Sequence, residues 1–405
     1  MCTNREPTAT AGAARRGGGS VELVAPIERF TVDVPEAILD DLRERLARTR
    51  FPEQIPGAGW DYGTELGYLR ELVEYWRDGY DWRKQEARLN SFDQFVTGID
   101  GQRIHFLHVR SPEPDAFPLV ITHGWPGSIV EFLDVVGPLT DPRAHGGDPA
   151  DAFHVVCPSM PGYAFSGPTH ERGWDPQRIA RAFAALMDGL GYARYGAQGG
   201  DWGSMVSTQL GLVDAEHVAG IHLNMLIALP PDGFDFSTLT EKEMAGLAAA
   251  GDYMENDSGY AKIQGTKPQT IGYLLDDSPA GLAAWIVEKF RTWSDCDGDV
   301  ERRFTKDQLL TNIMLYWVTA TGHSAGRLYY EATKAGRFGP QGERVEVPTG
   351  AAIFPKEIVR PPRAWAEHSY NITRWTEMPS GGHFAAFEEP ALFVDDVRAF
   401  FRTVR

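Results

Sequence analysis

The stretch VPEAILDDLRERLARTRFP sets Ile38, Leu39, Leu42 and Leu46 on one stripe at helical spacing, with charged residues between them. Pro35 suits the first turn of such a helix, and Pro52 stops it. A second stretch, ELGYLRELVEYWRDGY, repeats the pattern with Leu66, Leu69, Leu72, Val73 and Trp76. Residues 21–90 therefore read as a mostly helical extension whose apolar stripes need partners elsewhere in the chain. Before it, residues 1–20 are small, polar and glycine-rich, the composition of a disordered tail.

Near residue 91 the period changes. IDG at 99–101 predicts a hairpin turn into the alternating strand QRIHFLHVR. PLVITHG and FHVVCPS are short apolar runs that break into Gly/Pro loops, as strands buried on both faces do. PQRIARAFAALMDGLG carries Ile179, Ala182, Phe183 and Leu186 on one helical face, and RYGAQGG returns to strand. Strands and helices alternating in this way predict an α/β wound sheet over 91–227. From 228 to 340 the strand signal disappears, and EKEMAGLAAAGDYM, AGLAAWIVEKFRTW and DQLLTNIMLYWVTATG predict a helical lid inserted above the sheet. The sheet resumes over 341–405, where ERVEVPTGAAIFP is a strand and ALFVDDVRAFF a final helix.

Composition narrows the function. A formal charge of −17 disfavours nucleic acid and anionic membranes as partners. Three cysteines, Cys2, Cys157 and Cys296, form no CxxC pair and no disulfide framework, which points to a reducing cytoplasm. Arg15-Arg16 resembles an export signal, but GGGSVELVAPIERF after it lacks the required apolar region. No run approaches the ~18 apolar residues of a membrane span. The pattern sets no oligomeric state and leaves a homodimer open.

The chemistry is concentrated in AQGGDWGS. Gly199-x-Asp201-x-Gly203 has the frame of an α/β-hydrolase nucleophile elbow, with a carboxylate where serine is usual. One strand–helix unit upstream stands His123-Gly124-Trp125-Pro126. In this fold an N–H from that loop joins the N–H after the nucleophile, which makes Trp125 and Trp202 the oxyanion-binding pair. His383, in SGGHFAAFEEP, lies where the fold's chain order places the base. His105, His108, His222 and His368 lack that position. The acid that orients the base should follow a strand between them. Glu357, just past VPTGAAIFP, is preferred over Asp232; Glu343, Glu346 and Glu367 read as solvated charges.

These segments together resemble epoxide hydrolases of the microsomal type, a group that includes the juvenile hormone epoxide hydrolases. The likeness runs from about residue 24 to the C terminus, through HGWPGS, PSMPGYAFSGP, GGDWGS, IQGTKPQTIGYLLDDSPAGLAAWIVEKF, VPTGAAIFPKE and GGHFAAFEEP. It implies an α/β-hydrolase fold with a helical lid and an N-terminal helical extension. It implies that Asp201 is the nucleophile, His383 the base and Glu357 its acid. It also implies two lid tyrosines that bind the substrate, Tyr260 and Tyr329, with Tyr330 as the off-by-one alternative, and a cis Trp125–Pro126 bond. The N terminus lacks the apolar anchor of the membrane-bound members, so a soluble enzyme is expected.

The chemistry implied is hydrolysis of a hydrophobic, bulky or aryl epoxide to a vicinal diol through an alkyl ester of Asp201, without metal or organic cofactor. The lid tryptophans Trp285, Trp293 and Trp317 favour a bulky ligand. The group includes detoxifying enzymes and tailoring enzymes of natural-product pathways such as the enediyne antibiotics; the alanine-, arginine- and glycine-rich composition fits an actinomycete, which favours a tailoring role. Two other readings stand beside it. A haloalkane dehalogenase would share the Asp–His–acid mechanism, and a hydrolase-fold binding protein would have lost its chemistry.

Overall fold

The computed structural model describes residues 25–340 and 342–405; the tail expected over 1–20 lies outside them. Among the described residues nine strands form one sheet in the order β1-β2-β3-β5-β4-β6-β7-β8-β9. Their ranges are β1 Glu28–Phe30, β2 Gln94–Ile99, β3 Gln102–Val109, β4 Phe117–Thr122, β5 Phe153–Pro158, β6 Tyr195–Gly199, β7 Val218–Leu223, β8 Val345–Ile353 and β9 Tyr370–Glu377. The first three pair antiparallel with their neighbours, while β5, β4, β6, β7, β8 and β9 run parallel. In β6 and β7 every residue is buried, which explains runs without polar alternation.

Helices cover both faces: α4 Leu133–Thr140, α5 Pro176–Gly189, α6 Asp201–Val213, α13 Arg363–Ser369, α14 Ala385–Glu388 and α15 Pro390–Phe401. The lid comprises α7 Glu241–Asp252, α8 Gly259–Thr266, α9 Pro268–Asp277, α10 Pro279–Trp293, α11 Lys306–Val318 and α12 Gly322–Ala335. Between α7 and α8 the chain makes a π-turn, Tyr253–Asp257.

The N-terminal extension supplies α1 Glu36–Ala47, α2 Leu66–Asp78 and α3 Trp82–Leu89. Its stripes find their partners in the lid. The Trp76 indole N–H meets Met314 Sδ at 3.3 Å, Tyr75 donates to Asp307 at 2.7 Å, and Thr64 donates to the Ala284 carbonyl at 2.7 Å. The extension also contributes β1, which pairs with β2 and lengthens the sheet at its edge. Three alternating residues are too short for a pattern to reveal, so this stitch to the sheet was not anticipated.

Candidate active site

Asp201 opens α6 directly after β6, with its backbone at φ 47°. That left-handed conformation is costly for a residue other than glycine, and it turns the carboxylate out above the sheet. The neighbouring glycines make the turn possible. A Cβ at Gly199 would strike the Gly203 carbonyl, and one at Gly203 would strike the Thr122 carbonyl at the end of β4. The G-x-D-x-G frame is therefore a packing requirement of two strand ends meeting a helix start.

The HGWP turn follows β4. His123 is buried, and burial pushes its pKa down to about 4, so it is neutral. Its Nε2 accepts the Met160 N–H at 3.2 Å, which leaves Nδ1 to donate to the Gly124 carbonyl at 3.0 Å. The Trp125–Pro126 bond is cis, as the resemblance implies. From beyond, α11 grips the turn. Asn312 donates to the Pro126 carbonyl at 2.8 Å and accepts from Ser128 at 2.7 Å, and Tyr316 donates to the Gly127 carbonyl at 2.6 Å. So held, the Trp125 N–H points at Asp201 Oδ1, 2.8 Å away. Trp202, the other member of the expected pair, is the second residue of α6.

His383 sits before α14. Its Nδ1 bonds Glu357 Oε1 at 2.7 Å, and its Nε2 lies 3.4 Å from Asp201 Oδ2. Glu357, just past β8, also accepts the Ile358 N–H at 2.7 Å. Burial pulls the His383 pKa down, but the Glu357 charge and the bond and charge of Asp201 outweigh it and hold the imidazole well above its ordinary value. The His383 N–H donates to the Trp293 carbonyl at 2.9 Å, so the end of α10 anchors the base loop.

Opposite Asp201, α8 and α12 present Tyr260 and Tyr329. The Tyr260 ring stacks on Trp125, with centroids 4.7 Å apart. Tyr329 meets Trp202 edge-on at 4.7 Å and Tyr260 at 5.7 Å. Burial raises both phenols well above their usual pKa, so both are neutral donors. Tyr330 points elsewhere, under the Lys334 ammonium at 5.4 Å. Of the three lid tryptophans, Trp293 touches Tyr260 and His383, whereas Trp317 packs beneath Arg45 of the extension.

The structure thus brings together Asp201, His383, Glu357, Trp125, Trp202, Tyr260 and Tyr329. It keeps the alternatives apart. Asp232, Glu343, Glu346 and Glu367 are exposed, while His105, His108 and His222 bond Ser159, Tyr192 and Asp396. Sequence reasoning missed Glu131, which with Asp201, His383 and Trp125 walls a cavity of about 20 Å³, enough for one water molecule. Burial first, and the Asp201 charge also, push the Glu131 pKa up to about 8. A glutamate inside an apolar helical run gives no signal of such a place.

Among the described residues no group of three or more His, Cys, Asp and Glu side chains could hold a metal ion. Likewise, no helix among them is long and apolar enough to cross a membrane.

Residues 27–132 match the family model for the epoxide hydrolase N terminus, and 118–257 match that for the alpha/beta hydrolase fold. A Stigmatella aurantiaca protein named "Putative epoxide hydrolase" is 47% identical, over 94% of this chain and 86% of its own. Epoxide hydrolase 1 of Sus scrofa is 39% identical, over 98% of this chain and 94% of its own. The crystal structure of juvenile hormone epoxide hydrolase from the silkworm Bombyx mori superposes with a TM-score of 0.87 at 32% identity, covering 95% of this chain and 96% of that one. These likenesses displace the dehalogenase and non-catalytic readings: the chain belongs to the epoxide hydrolase family that includes the juvenile hormone enzymes, on an α/β-hydrolase fold, and is an epoxide hydrolase.

Proposed function

We propose that Asp201 attacks a ring carbon of a hydrophobic epoxide and forms an alkyl ester, which His383 hydrolyses to release a vicinal diol. One observation carries this reading: the two carboxylate oxygens have different neighbours. Oδ1 accepts the Trp125 N–H at 2.8 Å, while Oδ2 lies toward His383 Nε2 at 3.4 Å. A carboxylate needs no base to attack, because it is ionised at neutral pH. As the carbon–oxygen bond of the epoxide breaks, Tyr260 and Tyr329 hydrogen-bond the developing alkoxide, and it takes a phenol proton.

Ester formation also changes the base. In the resting site the Asp201 carboxylate helps to hold His383 protonated. Once that carboxylate is an ester its charge is gone, which lowers the imidazole's affinity for a proton and favours release of that proton to solvent. Glu357 still fixes the Nδ1–H tautomer, leaving Nε2 to accept a proton from water. The cavity beside His383 and Asp201 has room for that water. Hydroxide adds to the ester carbonyl, the oxyanion forms on Oδ1 at the Trp125 N–H with Trp202 as its second donor, and the diol leaves.

The aromatic walls of Trp125, Trp202, Tyr260 and Tyr329 fit aryl and other hydrophobic epoxides. His383→Gln incubated with an aryl epoxide should gain the mass of one substrate on the Asp201 peptide. A single wild-type turnover in heavy-oxygen water should put the label on Asp201. Label in the first diol, with none on the enzyme, would instead make Asp201 a general base.

A further inference from the structure

Tyr260 and Tyr329 are buried, yet one of them must lose a proton to the alkoxide at every ring opening. The phenol left behind has to be reprotonated before the next turnover. Neither tyrosine faces solvent, and Trp125, Trp202 and Trp293 close around them. The carboxylates nearest the reaction do not serve: Asp201 is consumed as the ester, Glu357 is bonded to His383, and Glu131 faces the cavity beside His383.

Another hydroxyl does reach the pair. Tyr253 lies 2.8 Å, oxygen to oxygen, from Tyr260. It begins the π-turn Tyr253–Asp257, a local widening of the helix of the kind that recurs at functional sites. Its ring rests edge-on against Trp293 at 6.2 Å, so its position is fixed by packing as well as by the hydrogen bond. Tyr253 is only half-buried, and Asp252, Met254, Glu255 and Asn256 around it are exposed. Tyr253 is therefore the residue that links the buried phenols to an exposed stretch of the lid, and burial holds its own phenol well above the usual pKa, so it too is neutral.

We propose that Tyr253 is a positioning and relay residue for ring opening: it donates its hydrogen bond to Tyr260, directs the Tyr260 proton at the epoxide oxygen, and returns a solvent proton to Tyr260 afterwards. The inference rests on the reading of Tyr260 as an acid. The protons balance. The alkoxide takes the Tyr260 proton, the Tyr260 phenolate takes that of Tyr253, and water reprotonates Tyr253. The proton given up to solvent by His383 when the ester forms offsets the one taken in here, and the hydrolytic water later restores His383. Tyr253 also bears on the direction of the bond. If Tyr260 donated to Tyr253, its single proton would be turned away from the substrate.

Tyr253→Phe removes one oxygen and keeps the ring against Trp293. In single-turnover experiments on the full chain with an aryl epoxide, it should slow ester formation by about 3- to 10-fold, the scale of one hydrogen bond. The rate of ester hydrolysis should be unchanged, because that step uses no phenol. The deciding measurement is a double-mutant cycle with Tyr260→Phe. A relay acting through Tyr260 has nothing to act on in that background, so adding Tyr253→Phe should cost no further rate. Additive losses in the two backgrounds, or slowing of both half-reactions, would make Tyr253 a packing residue and overturn the proposal. Ester formation at the parent rate in Tyr253→Phe alone would overturn it too. If Tyr260→Phe alone forms ester at the parent rate, the acid role of Tyr260 falls first and the relay falls with it.

Discussion

The floor and the roof of the site are built differently. Asp201 begins α6 just past β6, Glu357 follows β8 and His383 lies between β9 and α14, at sharp turns where Asp201 and Gly381 take left-handed backbone conformations. Tyr260 and Tyr329 stand on ordinary helical turns of the lid. The carboxylate must reach a ring carbon while the imidazole reaches the water that attacks the resulting ester, which demands tight geometry from three separated segments. A phenol needs only to be neutral and to face the epoxide oxygen, and burial supplies the first condition. In the proposed mechanism the two halves also divide the chemistry: both take part in ring opening, and the floor alone hydrolyses the ester. Mutations should therefore sort by half-reaction.

The largest effect belongs to Asp201→Ala, which should lower turnover by about 10⁴-fold or more, as removal of other triad nucleophiles does, and give no adduct by mass spectrometry. Adduct on another residue would move the nucleophile. Next, Glu357→Gln should slow ester hydrolysis by roughly 10²- to 10⁴-fold while ester formation survives, so covalent enzyme accumulates. Its pH profile carries a sign. Glu357 raises the His383 pKa, and His383 must be neutral to act as base, so loss of the charge should move the acid limb of hydrolysis to lower pH. A limb that moves upward would contradict the assignment.

On the roof, Tyr260→Phe or Tyr329→Phe should slow ester formation by roughly 10- to 1,000-fold and leave hydrolysis within about twofold, read from pre-steady-state kinetics. Tyr330→Phe should leave both half-reactions within about twofold. Asn312→Ala tests where roof and floor join, since its amide holds the Pro126 carbonyl and Ser128 behind the Trp125 N–H. A loss of about tenfold, the scale of one or two hydrogen bonds, is expected in hydrolysis. The smallest effect is expected at Arg45→Ala, which breaks an exposed pair with Asp277 between extension and lid. Stability should fall by less than about 1 kcal/mol in thermal unfolding, with kinetics unchanged.

The same contrast decides what could be read from the residues alone. Asp201 and the HGWP turn were legible because their geometry admits few residues: Gly199 and Gly203 have no room for a Cβ. His383 and Glu357 followed from chain order on the recognised fold. Tyr260 and Tyr329 were not legible by pattern, since a tyrosine on a buried helical face looks like core; only the family resemblance singled them out. Glu131 and Tyr253 escaped both routes. Each gains its place from tertiary packing, one at the cavity beside His383 and the other on a π-turn that local periodicity does not announce. At the level of the fold, the helices of the extension were visible as amphipathic stripes, and those of 228–340 as a long stretch without strand signal, in which α11 is buried all round. Strands β1 and β9 were not, the first for its brevity and the second because its residues are mostly half-exposed.

The hydrogen bond from Trp125 to Oδ1 gives the two oxygens of one carboxylate different neighbours. If Oδ2 makes each attack, it departs in each diol, and a water oxygen arrives in its place on the His383 side. Oδ1 stays in its cradle and is never exported. Over many cycles in isotopic water the residue would then behave as one permanent atom and one that is replaced every time, so its label would level off at a single heavy oxygen. A second heavy oxygen appearing as cycles accumulate would count how often the side chain turns over in its socket, and would clock a rotation that no static geometry reveals.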